Sequence, residues 1–195
     1  MLTRQNQEQS RQIYQMRYHA YLSKASIVEN DGGTFTDPYD TAPNCHSHIE
    51  YIKGRPAGAI RACVFDPNDP DLIVPAQELF PHEVEQHIGH KRCFVESNKF
   101  VIHPEFQHKA MRLKFSLFRF VFDLATQLGG DFILTSPRAS QVDFYRSMLF
   151  EPISGVKRSL ELDFDVVLMA CELSKARHLV MTDPKYATLK RFGLY

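Results

Sequence analysis

The chain has 195 residues, a length suited to one domain, and 44% of them are apolar, with fifteen Phe and eight Tyr to build a core. Lys plus Arg equals Asp plus Glu at 23 each, a formal charge of zero that argues against bulk attraction to nucleic acid. No apolar run approaches the roughly 20 residues needed to span a bilayer, so no transmembrane segment is expected.

The start, Met1 to Gln15, is polar and Gln-rich, unlike a signal peptide with its apolar centre. Ile13, Met16, Tyr18 and Ala20-Tyr21 then recur at helical spacing, and turn formers follow at Asn30-Asp31-Gly32-Gly33 and Asp37-Pro38. Ser47 to Lys53 reads as a strand, and Gly54-Arg55-Pro56 as a turn. Ala57 to Phe65 is the hairpin partner. A Pro- and Asp-rich loop, Asp66 to Pro75, leads to a weak helix near Ala76 to Gln86. Arg92 to Ile102 is a strand whose polar centre, Glu96 to Lys99, marks a bulge or a site opening.

Ala110 to Leu128 is a strong helix, rich in Phe and Leu and ended by Gly129-Gly130. Its apolar side chains are most simply core, though some could line a tunnel. Phe132-Ile133-Leu134 is a short buried strand, and Ser140 to Met148 a further helix. Val156 to Leu173 holds strand material, including the apolar run Val166 to Cys171. A tail over 181–195 carries a last short helix. The order is mixed α/β without regular βαβ repetition, and the whole chain, 1–195, is expected to form one domain. Cys45, Cys63, Cys93 and Cys171 are scattered, with no CxxC pair. Such thiols suit buried positions in a reducing compartment, and a cytoplasmic location is expected. His46 and His48 lie two apart on a strand and face the same way, but no second spaced pair accompanies them. No metal is expected. No GxSxG, Walker-type loop, GxGxxG or HExxH is present, so hydrolase, nucleotide-binding and metalloprotease readings gain no support.

Three segments carry chemistry. Val101-Ile102-His103-Pro104-Glu105-Phe106 leads into the long helix, Phe144-Tyr145-Arg146-Ser147-Met148-Leu149-Phe150 closes the next one, and a set of charged residues spans the first half. The first resembles the strand-to-helix segment of the GNAT acyltransferases, where a glycine-rich turn offers backbone N–H groups to a donor pyrophosphate. Gln107 matches that motif's leading residue, whereas Ala110 and Arg112 stand where glycines are expected. The second segment resembles the GNAT "FYxxxGF" stretch, with Leu149 in place of Gly. The resemblance implies that Tyr145 sits near the donor sulfur and protonates the leaving thiolate.

The charged set is Arg17-x-x-x-Tyr21, Asp37-Pro38-Tyr39-Asp40, Arg61 and Glu96-Ser97-Asn98-Lys99. It resembles the acyl-homoserine-lactone synthases and, more loosely, the long-chain N-acyl amino acid synthases. An Arg-x-x-x-Phe, an Asp-x-x-Asp, a lone Arg and a Glu-x-x-Arg fall there in the same order. Tyr21 replaces Phe, and Lys99 replaces Arg. The resemblance implies a central twisted mixed β-sheet flanked by helices, a GNAT-like fold. It also implies transfer of a fatty acyl group from an acyl-carrier-protein or CoA thioester to an amine, with no further cofactor.

On that reading Glu96 removes the ammonium proton, and N–H groups around Phe100, Val101 and Ile102 hold the oxyanion. Arg17, Tyr21, Asp37, Asp40, Arg61 and Lys99 surround the acceptor. Gln107, Lys109, Ala110 and Arg112 lie at the donor site, and Lys109, Arg112, Lys114 and Arg119 are candidates for meeting an acidic carrier protein. The chain has no Trp, and Thr34-Phe35-Thr36 precedes the Asp pair where an acidic residue is usual. Both departures favour an amino acid or similar small amine over S-adenosylmethionine as acceptor. A homoserine-lactone synthase and a non-catalytic acyl-carrier or small-amine binding module are the alternatives.

Overall fold

A computed structural model of the chain describes residues 7–195; within the polar start, residues 1–6 lie outside the described residues. Helix α1 (Gln7–Leu22) buries Ile13, Met16, Tyr18, Ala20 and Tyr21, the residues whose spacing announced it. A loop then runs to a 3-10 turn at Pro38–Thr41. There the Asp37 side chain takes the Tyr39 N–H while Asp40 reaches back to the Asp37 N–H. Strands β1 (Cys45–Ile52) and β2 (Arg55–Phe65) form the hairpin, β2 starting two residues earlier and β1 ending one residue earlier at the turn than the sequence suggests. Lys53 and Gly54 both adopt positive φ, 50° and 76°, as a two-residue turn matched to strand twist requires.

The single weak helix expected near Ala76 to Gln86 is two helices, α2 (Pro75–Leu79) and α3 (Pro81–His87). Pro81 lacks an N–H and starts the second helix at its first turn, which splits the pair. Strand β3 (Phe94–Ile102) follows, then a 3-10 turn (Pro104–Lys109) that runs directly into α4 (Ala110–Gln127). The rest comprises β4 (Phe132–Thr135), α5 (Val142–Arg146), β5 (Glu151–Arg158), β6 (Asp165–Glu172), α6 (Leu173–Thr182) and α7 (Ala187–Arg191). Two of these differ from expectation. β5 begins five residues early, because as an edge strand it tolerates Pro152 and Gly155 and shows no clean alternation. Helix α6 is unexpected. The apolar run of β6 masks its start, although Leu173, Ala176 and Val180 are spaced for a helix and are buried.

The six strands form one mixed sheet in the order β1-β2-β3-β4-β6-β5, and only β3 and β4 run parallel. One face is covered by α4. Its Leu117, Phe118, Val121 and Phe122 pack on Ile60, Ala62, Val95, Ile133 and Met169, so this stripe is core, and none of the helix's aromatic residues lines the cavity that opens beside β3. Leu189 and Leu194 of the tail join the same cluster, and Phe192 stacks on Phe115 at 4.2 Å. On the other face, α1 packs on Ile49, Ala59 and Val101. Helices α2 and α3 cover Phe65, Phe94, Leu134 and Leu168. Among the described residues no helix is long and apolar enough to cross a membrane.

Two irregularities in β3 shape the site. Its pairing with β4 ends at Ser97 opposite Thr135, so from Asn98 onward it has no partner on that side. Its register against β2 slips between Ala59 opposite Val101 and Arg61 opposite Asn98. The slip is a bulge, and Lys99 within it takes φ +50°, an uncommon conformation for a residue with a side chain. The polar centre of the strand therefore does mark both a bulge and an opening.

Gly58 lies opposite Ile102 beside this bulge, where a Cβ would approach Leu117 Cδ1 to 2.9 Å and the Val101 carbonyl oxygen to 3.1 Å. The leucine can rotate, but the backbone oxygen can move only with the bulge. Gly58→Ala is expected to destabilise the fold by about 1–3 kcal/mol, measured by urea unfolding.

Candidate active site

A cavity of about 380 Å³ opens where β3 and β4 part. Its walls come from the end of α1, the Asp37–Tyr39 segment, α2, the second half of β3 and the start of α4. The loop after β4, Tyr145 of α5 and the β5–β6 loop complete them. Of the sequence candidates, Glu96, Tyr145, Tyr21, Asp37, Arg61, Lys99, Phe100, Val101, Ile102, Gln107 and Ala110 all line it. Arg17 and Asp40 sit one layer behind. Lys109 and Arg112 are exposed and do not line it.

The charged residues form one connected network. Arg61 points from β2 to the Asp37 carboxylate, with Nη1–Oδ1 at 2.5 Å and Nη2–Oδ2 at 2.8 Å, while its Nε donates to Asn98 Oδ1 at 2.7 Å. Asp40 Oδ1 accepts from Arg61 at 3.0 Å and from Arg17 at 2.6 Å, which ties α1 to the hairpin. Lys99 Nζ lies 3.0 Å from Asp37 Oδ2 and also pairs with Glu161. Arg17 and Arg61 are 0% and 1% exposed, so this is a desolvated network and not a surface one. Burial alone would raise the Asp37 carboxyl. The Arg61 bond and charge, with Lys99, instead hold it well below the usual carboxylate range. The same pairing raises Arg61 against the opposing effect of burial.

Glu96 is different. It is 2% exposed on the central strand, and Oε2 accepts the Ala76 N–H at 2.7 Å from the first turn of α2. Burial raises its carboxyl to about 7, in spite of the Ala76 and Asn98 hydrogen bonds and the Arg61 and Lys99 charges that favour ionisation. The two acidic types are thus separated by environment: Asp37 is fixed as an anion, and Glu96 is poised to exchange a proton near neutral pH.

Tyr145 lies on the opposite face of the sheet, in contact with Phe118 and Phe150. Burial raises its phenol, and the Thr135 hydroxyl moderates the rise. Four residues on, Leu149 takes φ +67°, the left-handed turn for which a glycine is the ordinary choice. A leucine there costs about 1–2 kcal/mol of backbone strain.

The turn before α4 is closed on itself. The Phe106 N–H bonds His103 O, the Ala110 N–H bonds Gln107 O, and Gln107 Nε2 donates to Ile102 O. These amides are not free to cradle a pyrophosphate as a glycine turn would. Of the four expected carrier contacts, Lys114 faces the cavity and Arg119 lies 3.6 Å from Asp123. His48 stacks on Phe120 and sits 3.2 Å from Glu50, away from the site. Sequence reasoning missed Asn98 as the hinge between Arg61 and Glu96. It also missed Ala76, Glu78, Lys24 and Arg138 in the wall. Asn98 could have been found, since it lies two residues from Glu96 on the same face of a strand.

A family model described as the N-acyl amino acid synthase FeeM matches residues 12–172. No curated protein sequence matches the chain. Among solved structures, FeeM, an N-acyl amino acid synthase from uncultured soil microbes, superposes with TM-score 0.74 and 13% identity over 89% of this chain and 90% of its own. TofI, in a ternary complex with an inhibitor and MTA, gives 0.67 and 15% over 94% and 95%. BjaI, a CoA-dependent acyl-homoserine lactone synthase seen with SAM and isopentyl-CoA, gives 0.66 and 14% over 99% and 86%. With the family model covering most of its length, the chain belongs to the FeeM family of N-acyl amino acid synthases and is an acyltransferase with a GNAT-like fold.

Proposed function

We propose that this acyltransferase moves a fatty acyl group from an acyl-carrier-protein or CoA thioester to the amine of an amino acid or a similar small acceptor. The observation that carries this reading is Glu96, a buried carboxylate raised to about 7, on the wall of a cavity that also reaches Tyr145. An ammonium group must lose a proton before it can attack, and a base matched to neutral pH takes it with little penalty. The amine nitrogen then bonds to the thioester carbon, the C–S bond breaks, and a thiol and an amide leave with one net proton released. Backbone N–H groups of Phe100 to Ile102 stabilise the intermediate oxygen. Support for this comes from the missing strand partner beyond Ser97, which frees that side of β3 from the ladder.

Tyr145 has a subtler part. A phenol raised above its ordinary value near 10 is a weaker acid than a thiol near 8.5, so outright transfer to the thiolate is uphill. A hydrogen bond from the phenol to the developing sulfur charge needs no such transfer. The Arg17–Asp40–Arg61–Asp37–Lys99 network orders the early loop over the acceptor side. With Asp37 and Asp40 both engaged by cations, it holds the wall in place and leaves Glu96 as the buried carboxyl with a proton to exchange. Pro75, Leu79, Phe164 and Val166 give the cavity an apolar arm suited to an acyl chain.

Mass spectrometry of lipid extracts from cells producing the chain, beside a Glu96→Gln control, tests the reading. N-acyl amino acids present only with the parent chain are expected. Acyl lactones, or no acyl amide from folded protein supplied with donor, would reject it. In purified enzyme Glu96→Gln should lower kcat at least about 100-fold. The parent kcat/KM should rise with pH through about 7 as Glu96 ionises. The same substitution should stabilise the protein in the alkaline range. A carboxyl raised in the folded state contributes its stability below the unfolded value, and that contribution is lost as pH rises through about 7. The difference should approach roughly 3 kcal/mol at pH 8 and vanish near pH 4, read by urea unfolding. Tyr145→Phe is expected to lower kcat about tenfold with little change in KM.

Asp37→Asn leaves Arg61 and Lys99 short of an anion and should cost about 3 kcal/mol at pH 7. Because Asp37 is depressed in the folded state, this gap is full above about pH 4 and closes as pH falls below the usual carboxylate range. Paired unfolding curves at pH 7 and pH 3 check both limbs.

A further inference from the structure

Five cations line the cavity, and they fall into two groups. Arg61 and Lys99 are neutralised by Asp37, Asp40 and Glu161. Lys24 just past α1, Lys114 in α4 and Arg138 past β4 also line it, and among the described residues none of the three forms an ion pair. Two are fixed in place by uncharged neighbours. The Arg138 guanidinium lies 3.7 Å from the centroid of the Phe164 ring and donates to Ser26 Oγ, and Lys114 Nζ lies 4.1 Å from the centroid of Phe144. The three are close enough to repel. Burial lowers Lys24, and the charges of Arg138 and Lys114 lower it further.

Three like charges brought together from three elements, none of them paired with a carboxylate of the same wall, form a field that an anion relieves. Lys114 stands one helical turn beyond Ala110, and Gln107 and Ala110 line the same cavity at the start of α4. There the backbone amides of Phe106 and Ala110 are already bonded to carbonyls, so neither is offered to an anion. Lys114 lies against Phe144, next to Tyr145, and Arg138 lies against Phe164 of the apolar arm, whereas Glu96 bonds to α2. We propose that Lys24, Lys114 and Arg138 form a phosphate subsite for the donor, holding the phosphate of the pantetheine arm that acyl carrier protein and CoA have in common. The proposal rests on the acyl-thioester reading above. It assigns the donor's anchor to charged side chains in place of a glycine turn.

Direct binding separates this proposal from that reading, because it needs no turnover. Calorimetry with 4′-phosphopantetheine and with pantetheine should show the phosphorylated form binding the parent chain at least about tenfold more tightly. Lys24→Glu changes an exposed residue, so the fold is expected to survive. It should erase most of that preference, as should Arg138→Gln, with thermal unfolding as the control. Equal binding of the two compounds by the parent chain would overturn the subsite. In turnover, the ratio of KM for acyl-N-acetylcysteamine to KM for acyl-CoA or acyl-carrier protein should fall about tenfold in Lys24→Glu. A fall with one of the two phosphate-bearing donors supports the subsite and identifies which donor uses it. A KM increase confined to the amino acid would overturn the proposal and reassign the cations to the acceptor's carboxylate.

Discussion

The Arg61 guanidinium, buried at the centre of β2, is the interaction on which the remainder of the site depends. A guanidinium is always charged and presents its donors in a rigid fork, so removing it from water requires acceptors in fixed directions. Asp37 fills two of those directions, Asp40 adds to one of them, and Asn98 takes Nε. The acceptors come from two parts of the chain. Asp37 and Asp40 cap one 3-10 turn, Asp40 passes the constraint to Arg17 in α1, and Asn98 passes it to β3 beside Glu96. An otherwise irregular loop of some fifteen residues is thereby held against the sheet. Glu96, its carboxyl raised to about 7, sits just outside the web, near its positive charge but buried enough to resist it.

The cavity has an equally simple cause. Parallel neighbours need not end together, and β4 stops at Thr135 while β3 continues to Ile102. Past that point the sheet is open on one side of β3. The opening connects the α4 face, where Tyr145 lies, with the face under α1 and α2, where Glu96 lies. A thioester entering from one face and an amine from the other would meet at the unpaired strand. Fold and chemistry share one cause here, the early end of a four-residue strand.

Much of this was legible in the sequence, and the reasons differ by element. Helix α4 announced itself because an aromatic and aliphatic stripe at helical spacing ended on two glycines. Strand β3 announced its own defect, since four polar residues in the middle of an apolar strand are hard to bury unless they do something. The charged set was legible because Arg17, the Asp37–Asp40 pair, Arg61 and Glu96 occur in an order that resembles known synthases. What escaped has physical reasons too. Edge strand β5 lacks alternation because its register against β6 slips between Pro152 and Val156. Helix α6 follows β6 without a break, so one apolar run covers two elements. Lys24 and Arg138 are far apart in sequence and carry no motif. Only the folded chain shows that both reach one cavity, and that neither is paired with a carboxylate there.

The bulge at Lys99 has a consequence in terms of parity. A strand sends alternate side chains to opposite faces, and β3 obeys this up to Glu96: Phe94 joins the core under α2 and α3, and Val95 joins the core under α4. Beyond the bulge the rule is inverted. Val101 packs with α1, and Ile102 packs with Phe106 and Leu113 at the start of α4. One extra residue in the middle of the strand has exchanged odd for even. A single strand can therefore supply apolar residues to four packing clusters and still aim a carboxylate into the gap between its halves. Losing or gaining one residue between Glu96 and Val101 would reverse the faces of everything on one side of the bulge. Side-chain substitutions there can be graded in effect, but the length of the segment is effectively fixed.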